Sequence, residues 1–206
     1  MLISYALCNR ESDLPGRTGR GSFLTMLVGF FVLFFASFGF ADSAASDSAF
    51  FGEYEIKAGF IYRFLSFVSW PADSVSDTIT IGIVGSNPFG DAFSAVEGTT
   101  VGHQVVKVSY FDNIKDHETL RKCQILFISG DVPDRDVQQL LGMFAGSPTL
   151  TVGESPGFID KGGMIGFTRR DRRRIGIEIN VSATERSGLT VRSMLMRIAV
   201  RMIKDQ

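Results

Sequence analysis

The chain has 206 residues with 21 basic and 22 acidic side chains, a formal net charge of −1. Residues 1–41 hold three Arg and two acidic residues, so the rest of the chain keeps 18 basic and 20 acidic ones and a net charge near −2. This balance argues against a nucleic-acid partner, because such proteins concentrate Lys and Arg on one face. About 165 residues remain, enough for one domain with a full hydrophobic core.

The N-terminal segment has the layout of a secretory signal peptide. An almost uncharged apolar run at 24–40 follows three Arg residues and precedes the small residue Ala41. The pattern predicts cleavage after Ala41 and export to the periplasm. The alternative is an uncleaved anchor, because about seventeen apolar residues are at the lower limit for spanning a bilayer. The long polar segment before Leu24 leaves the true start codon open.

The first element after the leader is a predicted helix. Residues 42–52 are rich in Ser, Ala and Asp and are expected to form a disordered linker, so the domain is expected over 53–206. The helix is predicted from Glu53, because apolar residues then recur at helical spacing, and it should end at Trp70-Pro71. The residues of this buried face are Tyr54, Ala58, Ile61, Leu65 and Val68, widened by Phe60, Phe64 and Phe67.

The middle of the chain alternates strand patterns with helix patterns. Strands are predicted at 78–84, 103–111 and 125–128, and helices at 89–96, 116–121 and 134–144. Such alternation is typical of a single α/β domain whose mostly parallel sheet is flanked by helices.

A β-hairpin is predicted near the C-terminus. A strand at 148–152 is followed by hairpin strands at 164–168 and 174–180, with the charged run 169–173 at the tip. After a helical turn that ends at Gly188, a last helix is predicted from about Thr190. Its core face is expected to contain Met194, Leu195, Ile198 and Met202, and its basic stripe Arg197, Arg201 and Lys204.

The exported part of the chain contains few residues that perform catalysis. It has His103, His117, one cysteine and no motif for a metal, a nucleophile or a general base. We therefore expect a non-enzymatic protein without catalytic residues, metal or cofactor, and a role in binding or sensing. Cys123 opens the apolar run 123–128, which predicts a buried thiol, and Cys8 lies in the leader.

Glu178, Asn180 and Arg192 are the candidate ligand- or partner-binding residues. If the last helix covers the polar face of the final strand, Glu178 and Asn180 point into the gap and Arg192 reaches Glu178. A carboxylate, an amide and a guanidinium in an apolar setting are typical of a small-molecule pocket. The alternatives are a structural ion pair that fastens the helix to the sheet and a solvated Glu178 side chain.

The chain resembles the YfiR-like family of periplasmic proteins in five runs taken together: EYEIKAGFIYRFLSFVSWP, IGIVGSNPFGD, CQILFIS, PTLTVGESPGFIDKGGMIGF and RIGIEINVSATERSGLTVRSML. The resemblance covers residues 53 to about 203. It implies a dimeric α/β regulator that restrains an inner-membrane diguanylate cyclase by binding its periplasmic sensor region. Members often carry disulfide-forming cysteine pairs, whereas here Gly82 lies on the strand expected beside Cys123.

Two functions remain open at this point. The leading one is a periplasmic regulator of a membrane-bound diguanylate cyclase or sensor kinase, linked to cyclic-di-GMP and biofilm. The alternative is a periplasmic module that binds a small anionic or aromatic molecule. The resemblance implies a homodimer. The first helix or the hairpin is the candidate contact surface, because exposed aromatic residues there would otherwise favour aggregation.

Overall fold

The computed structural model describes residues 44–74, 76–171 and 174–204. The leader expected at 1–41 lies outside the described residues. None of the helices in the described part of the chain is long and apolar enough to cross a membrane.

Helices and strands alternate along most of the domain. The helices are α1 (Ala44–Phe67), α2 (His117–Leu120), α3 (Asp134–Phe144), α4 (Val181–Arg186) and α5 (Ser193–Ile198), with a 3-10 turn at Ala72–Ser74. The strands are β1 (Val68–Ser69), β2 (Thr78–Val84), β3 (Thr100–Val101), β4 (Gln104–Phe111), β5 (Ile125–Ile128), β6 (Leu150–Gly153), β7 (Ile165–Asp171), β8 (Arg174–Asn180), β9 (Thr190–Val191) and β10 (Arg201–Ile203).

The main sheet has eight strands in the order β10-β8-β7-β6-β5-β2-β4-β3. Five of its pairings are parallel, and only β7–β8 and β3–β4 are antiparallel. The predicted α/β class and the C-terminal hairpin, formed by β7 and β8, are confirmed. The hairpin does not form the edge itself, because β10 pairs with the outer side of β8 in register Met202 with Ile179.

The sheet is covered on both faces, which explains why its central strands are uniformly apolar. All four residues of β5 are buried. Ile125 and Phe127 belong to the core cluster that includes α1, whereas Leu126 and Ile128 belong to the cluster that includes α3. Because successive side chains of a strand point to opposite faces, α1 and α3 lie on opposite sides of the sheet.

Helix α1 buries the face predicted from its spacing. All five residues from Tyr54 to Val68 in that pattern are buried, and Phe64 is inaccessible to solvent. The helix begins at Ala44, inside the segment expected to be a linker, and not at Glu53. Alanine has the highest helix propensity, so the alanines of this segment favour a helix that begins before Glu53. The division into leader, linker and domain stays a prediction.

The prediction of a helix at 89–96 is wrong. The chain there forms successive turns, in which the Ala92 N–H donates to the Phe89 carbonyl and the Val96 N–H donates to the Phe93 carbonyl. Gly90 has φ of 50°, which an α-helix does not accommodate. The turns bury both Phe89 and Phe93 in the core.

The prediction of a long C-terminal helix from about Thr190 is also wrong. The chain forms β9, the short helix α5 and then β10. Strand β9 pairs with β1, and the Val200 N–H donates to the Ile177 carbonyl at 2.8 Å as the chain joins the sheet edge. Backbone pairing with β8 therefore outweighs the helical spacing. Leu195 is buried as predicted, but Met194, Ile198 and Met202 are exposed.

The packing of Phe158 requires glycine at residues 153 and 163. Phe158 is buried, and its ring lies against the backbone of both Gly153 and Gly163. A Cβ atom at either glycine would overlap the ring. Only glycine lets the strand end and the loop approach the ring this closely.

Candidate functional site

A buried network of charges joins α1 to the ends of β5 and β6. Lys57 is 5 % exposed, and its Nζ lies 2.6 Å from Glu154 Oε2 and 2.7 Å from Glu53 Oε1. Glu154 Oε1 also accepts hydrogen bonds from the Tyr54 hydroxyl and the Gly130 N–H, both at 3.0 Å. These contacts satisfy the buried ammonium and carboxylate groups, as burial of charge requires.

The network lies where ligands bind in many α/β proteins. Gly130 and Glu154 follow the carboxyl ends of two parallel strands, and open α/β sheets bind ligands outside those ends. Arg169 of β7 extends the network, with its Nη2 2.5 Å from Glu53 Oε2. These groups and Phe167 line a cavity of about 280 Å³.

Two pKa values show what this network can do. Burial raises the pKa of Glu53, but the hydrogen bonds and charges of Lys57 and Arg169 outweigh it, so the pKa lies below 4.5. Burial and the neighbouring Glu154 carboxylate raise the pKa of Tyr54 well above its ordinary value. At neutral pH the tyrosine is therefore a neutral hydroxyl, which donates to Glu154. The arrangement fastens α1 to the sheet.

The sequence pattern missed this network, although it contained a signal. Lys57 lies on the apolar face of α1, between Tyr54 and Ile61, where a lysine needs a buried partner. Glu53, four residues earlier, is a partner at helical spacing. Glu154 could not be found in the same way, because only the sheet brings the end of β6 to this helix.

The three residues predicted as a binding site have separate environments. Glu178 Oε2 lies 3.7 Å from Arg201 Nη1. Asn180 is buried and caps α4: its Oδ1 accepts from the Ala183 N–H at 2.9 Å, and its Nδ2 donates to the Ile159 carbonyl at 3.0 Å. Asn180 thus has a structural role whatever else it contacts.

Arg192 does not join the other two residues. Its side chain is exposed at the start of α5, and its backbone N–H donates to the Phe67 carbonyl. Within the described ranges no ion pair joins Arg192 to Glu178, because β10, and not a covering helix, lies beside β8. A role of these residues in binding stays a prediction.

Several apolar side chains are exposed at one end of the sheet. They form what we call the C-terminal apolar surface: Met194, Ile198, Val200 and Met202, each between 39 % and 59 % exposed. Strand β10 is the outer strand here, so one of its edges has backbone groups that no other strand pairs within the residues that the structure describes. Exposed apolar side chains at an open sheet edge are typical of a surface that another chain covers.

The described residues contain no group of His, Cys, Asp or Glu placed to hold a metal ion. Cys123 is buried, as predicted, and burial raises the pKa of its thiol to about 12. Gly82 does lie beside it, since a Cβ atom at residue 82 would be 2.8 Å from Cys123 Sγ.

Fold and surface together define a single-domain α/β protein with a mostly parallel sheet and an exposed apolar edge. Comparison with known families gives a match to the YfiR/HmsC-like family model over residues 54–200. The chain therefore belongs to the YfiR/HmsC-like family. Proteins of this family are periplasmic regulators of diguanylate cyclases.

No curated protein sequence matches the chain. Two solved structures resemble its fold at low identity. A conserved domain protein from Vibrio cholerae O1 biovar El Tor has a TM-score of 0.48 and 10 % identity, over 72 % of this chain and 60 % of that one. An ABC domain in complex with L-Trp from Streptococcus pneumoniae has a TM-score of 0.42 and 11 % identity, over 62 % and 56 %. The chain thus spans 60 % and 56 % of the length of these two solved chains.

Proposed function

We propose that this protein is a periplasmic regulator that binds the sensor region of an inner-membrane diguanylate cyclase and restrains it. The observation that carries the proposal is the match of the YfiR/HmsC-like family model to residues 54–200. The charged cluster of Lys57 and Glu154 fastens α1 to the sheet, so the contact with a partner is assigned to another surface.

The C-terminal apolar surface is the contact that we assign to this partner. Met194 and Ile198 are four residues apart on α5, so they share one face of that helix. Methionine adapts its shape to a partner, and this surface contains Met194 and Met202. The open edge of β10 adds unpaired backbone groups, to which an extended segment of the partner can hydrogen-bond.

Export and dimerisation belong to the same proposal. Residues 1–41 act as a signal peptide that is cleaved after Ala41, so that the domain is released into the periplasm. The protein forms a homodimer through α1 or the β7–β8 hairpin. N-terminal sequencing of the periplasmic protein should begin at Asp42, and light scattering at micromolar concentration should give twice the mass of one chain. Material that keeps residues before Leu24 and remains in the membrane would contradict cleavage.

Deletion of the gene tests the regulatory function. If the protein restrains a diguanylate cyclase, the deletion strain should contain more cyclic-di-GMP and form more biofilm than the parent. Expression of the intact gene should restore both quantities. Unchanged cyclic-di-GMP in the deletion strain would count against this partner, and a changed output of a membrane sensor kinase would identify the other class of partner.

A further inference from the structure

Helix α5, strand β10 and the residues that flank them carry four basic side chains, and two of these are paired with carboxylates. Arg201 Nη1 lies 3.7 Å from Glu178 Oε2, and Lys204 Nζ lies 4.0 Å from a carboxylate of α4. Arg192 and Arg197 are exposed, and within the described residues neither side chain forms an ion pair or a hydrogen bond. The fold therefore leaves two cations here without a counter-ion.

These two cations lie beside the C-terminal apolar surface. Arg197 is on α5, three residues after Met194 and next to Ile198, and residues three apart are neighbours on a helix surface. Met194 and Ile198 are 59 % and 53 % exposed. Arg192 immediately precedes the same helix. A chain that covers Met194 and Ile198 would therefore also meet guanidinium groups.

The open edge of β10 indicates what kind of molecule covers this surface. Strand β10 pairs with β8 on one side, and its other side has backbone N–H and C=O groups that no described strand pairs. The hydrocarbon of a lipid bilayer offers these groups no hydrogen-bond partner, and their burial without one is unfavourable. An extended polypeptide segment can satisfy them, because it adds a strand to the edge. The surface therefore suits a protein segment better than a membrane.

A second copy of this chain fits the surface poorly. If two copies were joined through it, Arg192 and Arg197 of one copy would come close to those of the other, and like charges across an interface oppose binding. Carboxylates opposite these residues would instead accept charge-assisted hydrogen bonds, which a guanidinium group donates in parallel pairs. The charge of the surface thus favours a partner segment that is acidic.

We propose that the C-terminal apolar surface binds an extended, acidic segment of its partner. The backbone of this segment pairs with the open edge of β10, and its apolar side chains cover Met194 and Ile198. Its carboxylates bind Arg192 and Arg197. The inference rests on the proposed regulatory function and specifies the chemistry of the segment that the regulator recognises in the sensor region.

Peptide titration of the purified protein tests the chemistry of this surface. The probe is a short capped peptide of repeated Glu-Glu-Val-Val, which as a strand presents both acidic and apolar side chains on each face. The control peptide has Lys in place of Glu. The acidic peptide should bind saturably and at least about tenfold more tightly than the basic one, because only the basic one places like charges opposite the two arginines. It should also slow hydrogen exchange of at least one backbone amide of β10.

Charge reversal identifies the residues that bind the acidic peptide. Arg192→Glu combined with Arg197→Glu should weaken its binding by about tenfold or more, whereas Lys at both positions should keep most of the affinity. Lys107→Glu combined with Lys115→Glu reverses two exposed cations outside this surface, so it is the matched control and should leave the affinity unchanged. All the substituted side chains are exposed, so each protein should fold, and circular dichroism checks this.

The same variants in the cell separate this inference from the proposed function. In a strain whose cyclic-di-GMP rises on deletion of the gene, charge reversal at Arg192 and Arg197 should also raise cyclic-di-GMP. Charge reversal at Lys107 and Lys115 should not. A strain that does not respond to the deletion would contradict the proposed function, while the peptide titration still measures the chemistry of the surface.

Three results of the titration would overturn the inference. They are no saturable binding of the acidic peptide, equal affinity for the acidic and basic peptides, and unchanged affinity after charge reversal at Arg192 and Arg197. Vesicles that contain phosphatidylglycerol test the membrane as the occupant. If the protein binds these vesicles and not the acidic peptide, and the charge reversal abolishes that binding, the surface belongs to a membrane contact and the inference is wrong.

Discussion

Lys57 Nζ lies 2.6 Å from Glu154 Oε2, and this contact joins two residues that are 97 positions apart in the chain. The side chains are 6 % and 10 % exposed, so the pair is nearly removed from solvent. Loss of Lys57 leaves the Glu154 side chain buried without its counter-ion, and loss of Glu154 leaves Lys57 with Glu53 alone; either change is more unfavourable than loss of the whole pair. The contact therefore makes the docking of α1 onto the sheet sensitive to either residue.

Substitution of Lys57 tests this dependence. Lys57→Met should lower the free energy of unfolding by about 3–5 kcal/mol, because Glu154 is left buried without its counter-ion. Lys57→Met combined with Glu154→Gln should lose less than the sum of the two single changes. Urea denaturation measures all three variants. Lys122→Met, which removes the exposed pair with Glu118, should cost at most about 1 kcal/mol and serves as the control.

The lowered pKa of Glu53 predicts an acid-sensitive network. The folded state binds its proton less readily than the unfolded state, so Glu53 contributes stability above its ordinary pKa of 4.5, and this contribution is lost as the pH falls through the lowered value. In unfolding curves between pH 3 and pH 7, Glu53→Gln should be less stable than the parent at neutral pH. The difference in the free energy of unfolding between the two proteins should become smaller below pH 4.5. A constant difference across this range would show that the ionised form is not the stabilising one.

The contact between Gly82 and Cys123 predicts a disulfide that can be introduced. Gly82→Cys should form an internal disulfide in oxidising conditions, because its Cβ would lie 2.8 Å from Cys123 Sγ, which brings the two sulfur atoms within bonding reach. The oxidised variant should have no free thiol and a higher melting temperature than its reduced form. Gly82→Ala should be destabilised by about 1–3 kcal/mol through overpacking. Two free thiols after oxidation would contradict the geometry.

Substitution should lower the stability of the fold at Asn180 and not at Arg192. Asn180→Ala removes the cap of α4 and the bond to the Ile159 carbonyl, so thermal stability should fall by about 2 kcal/mol. Arg192→Ala changes an exposed side chain and should leave the free energy of unfolding unchanged within about 0.5 kcal/mol. Any loss of regulation in a fully stable Arg192→Ala protein would then indicate that Arg192 contacts a partner. Asp116→Ala removes an exposed cap of α2 and should have a smaller effect than Asn180→Ala.

The C-terminal apolar surface should be needed for regulation and not for folding. Met194→Asp and Met202→Asp place charges on exposed positions, so the melting temperature should hardly change while cyclic-di-GMP rises toward the level of the deletion strain. Val105 is exposed to a similar degree on β4, away from this surface, and Val105→Asp should keep regulation intact. Full regulation by the Met194→Asp, Met202→Asp double variant would exclude this surface as the contact.

The sequence alone determined the elements whose apolar pattern lies within one segment of the chain. Helix α3 and strand β5 were predicted at the residues where they occur, because their apolar spacing is local and complete. The α/β class followed from the alternation of such segments. The buried face of α1 and the burial of Cys123 were predicted for the same reason, since burial of apolar groups needs no particular partner.

Tertiary structure decided the elements that depend on a neighbour distant in sequence. The segment after Thr190 has helical spacing, but β1 and β8 offer it strand partners, so it forms β9 and β10 and exposes Met194 and Met202. The same pairing places Arg201, and not Arg192, beside Glu178. The partner of Lys57 was hidden for a related reason. A helix face shows that a charge is buried, but only the order of the strands brings Glu154 within 2.6 Å of it.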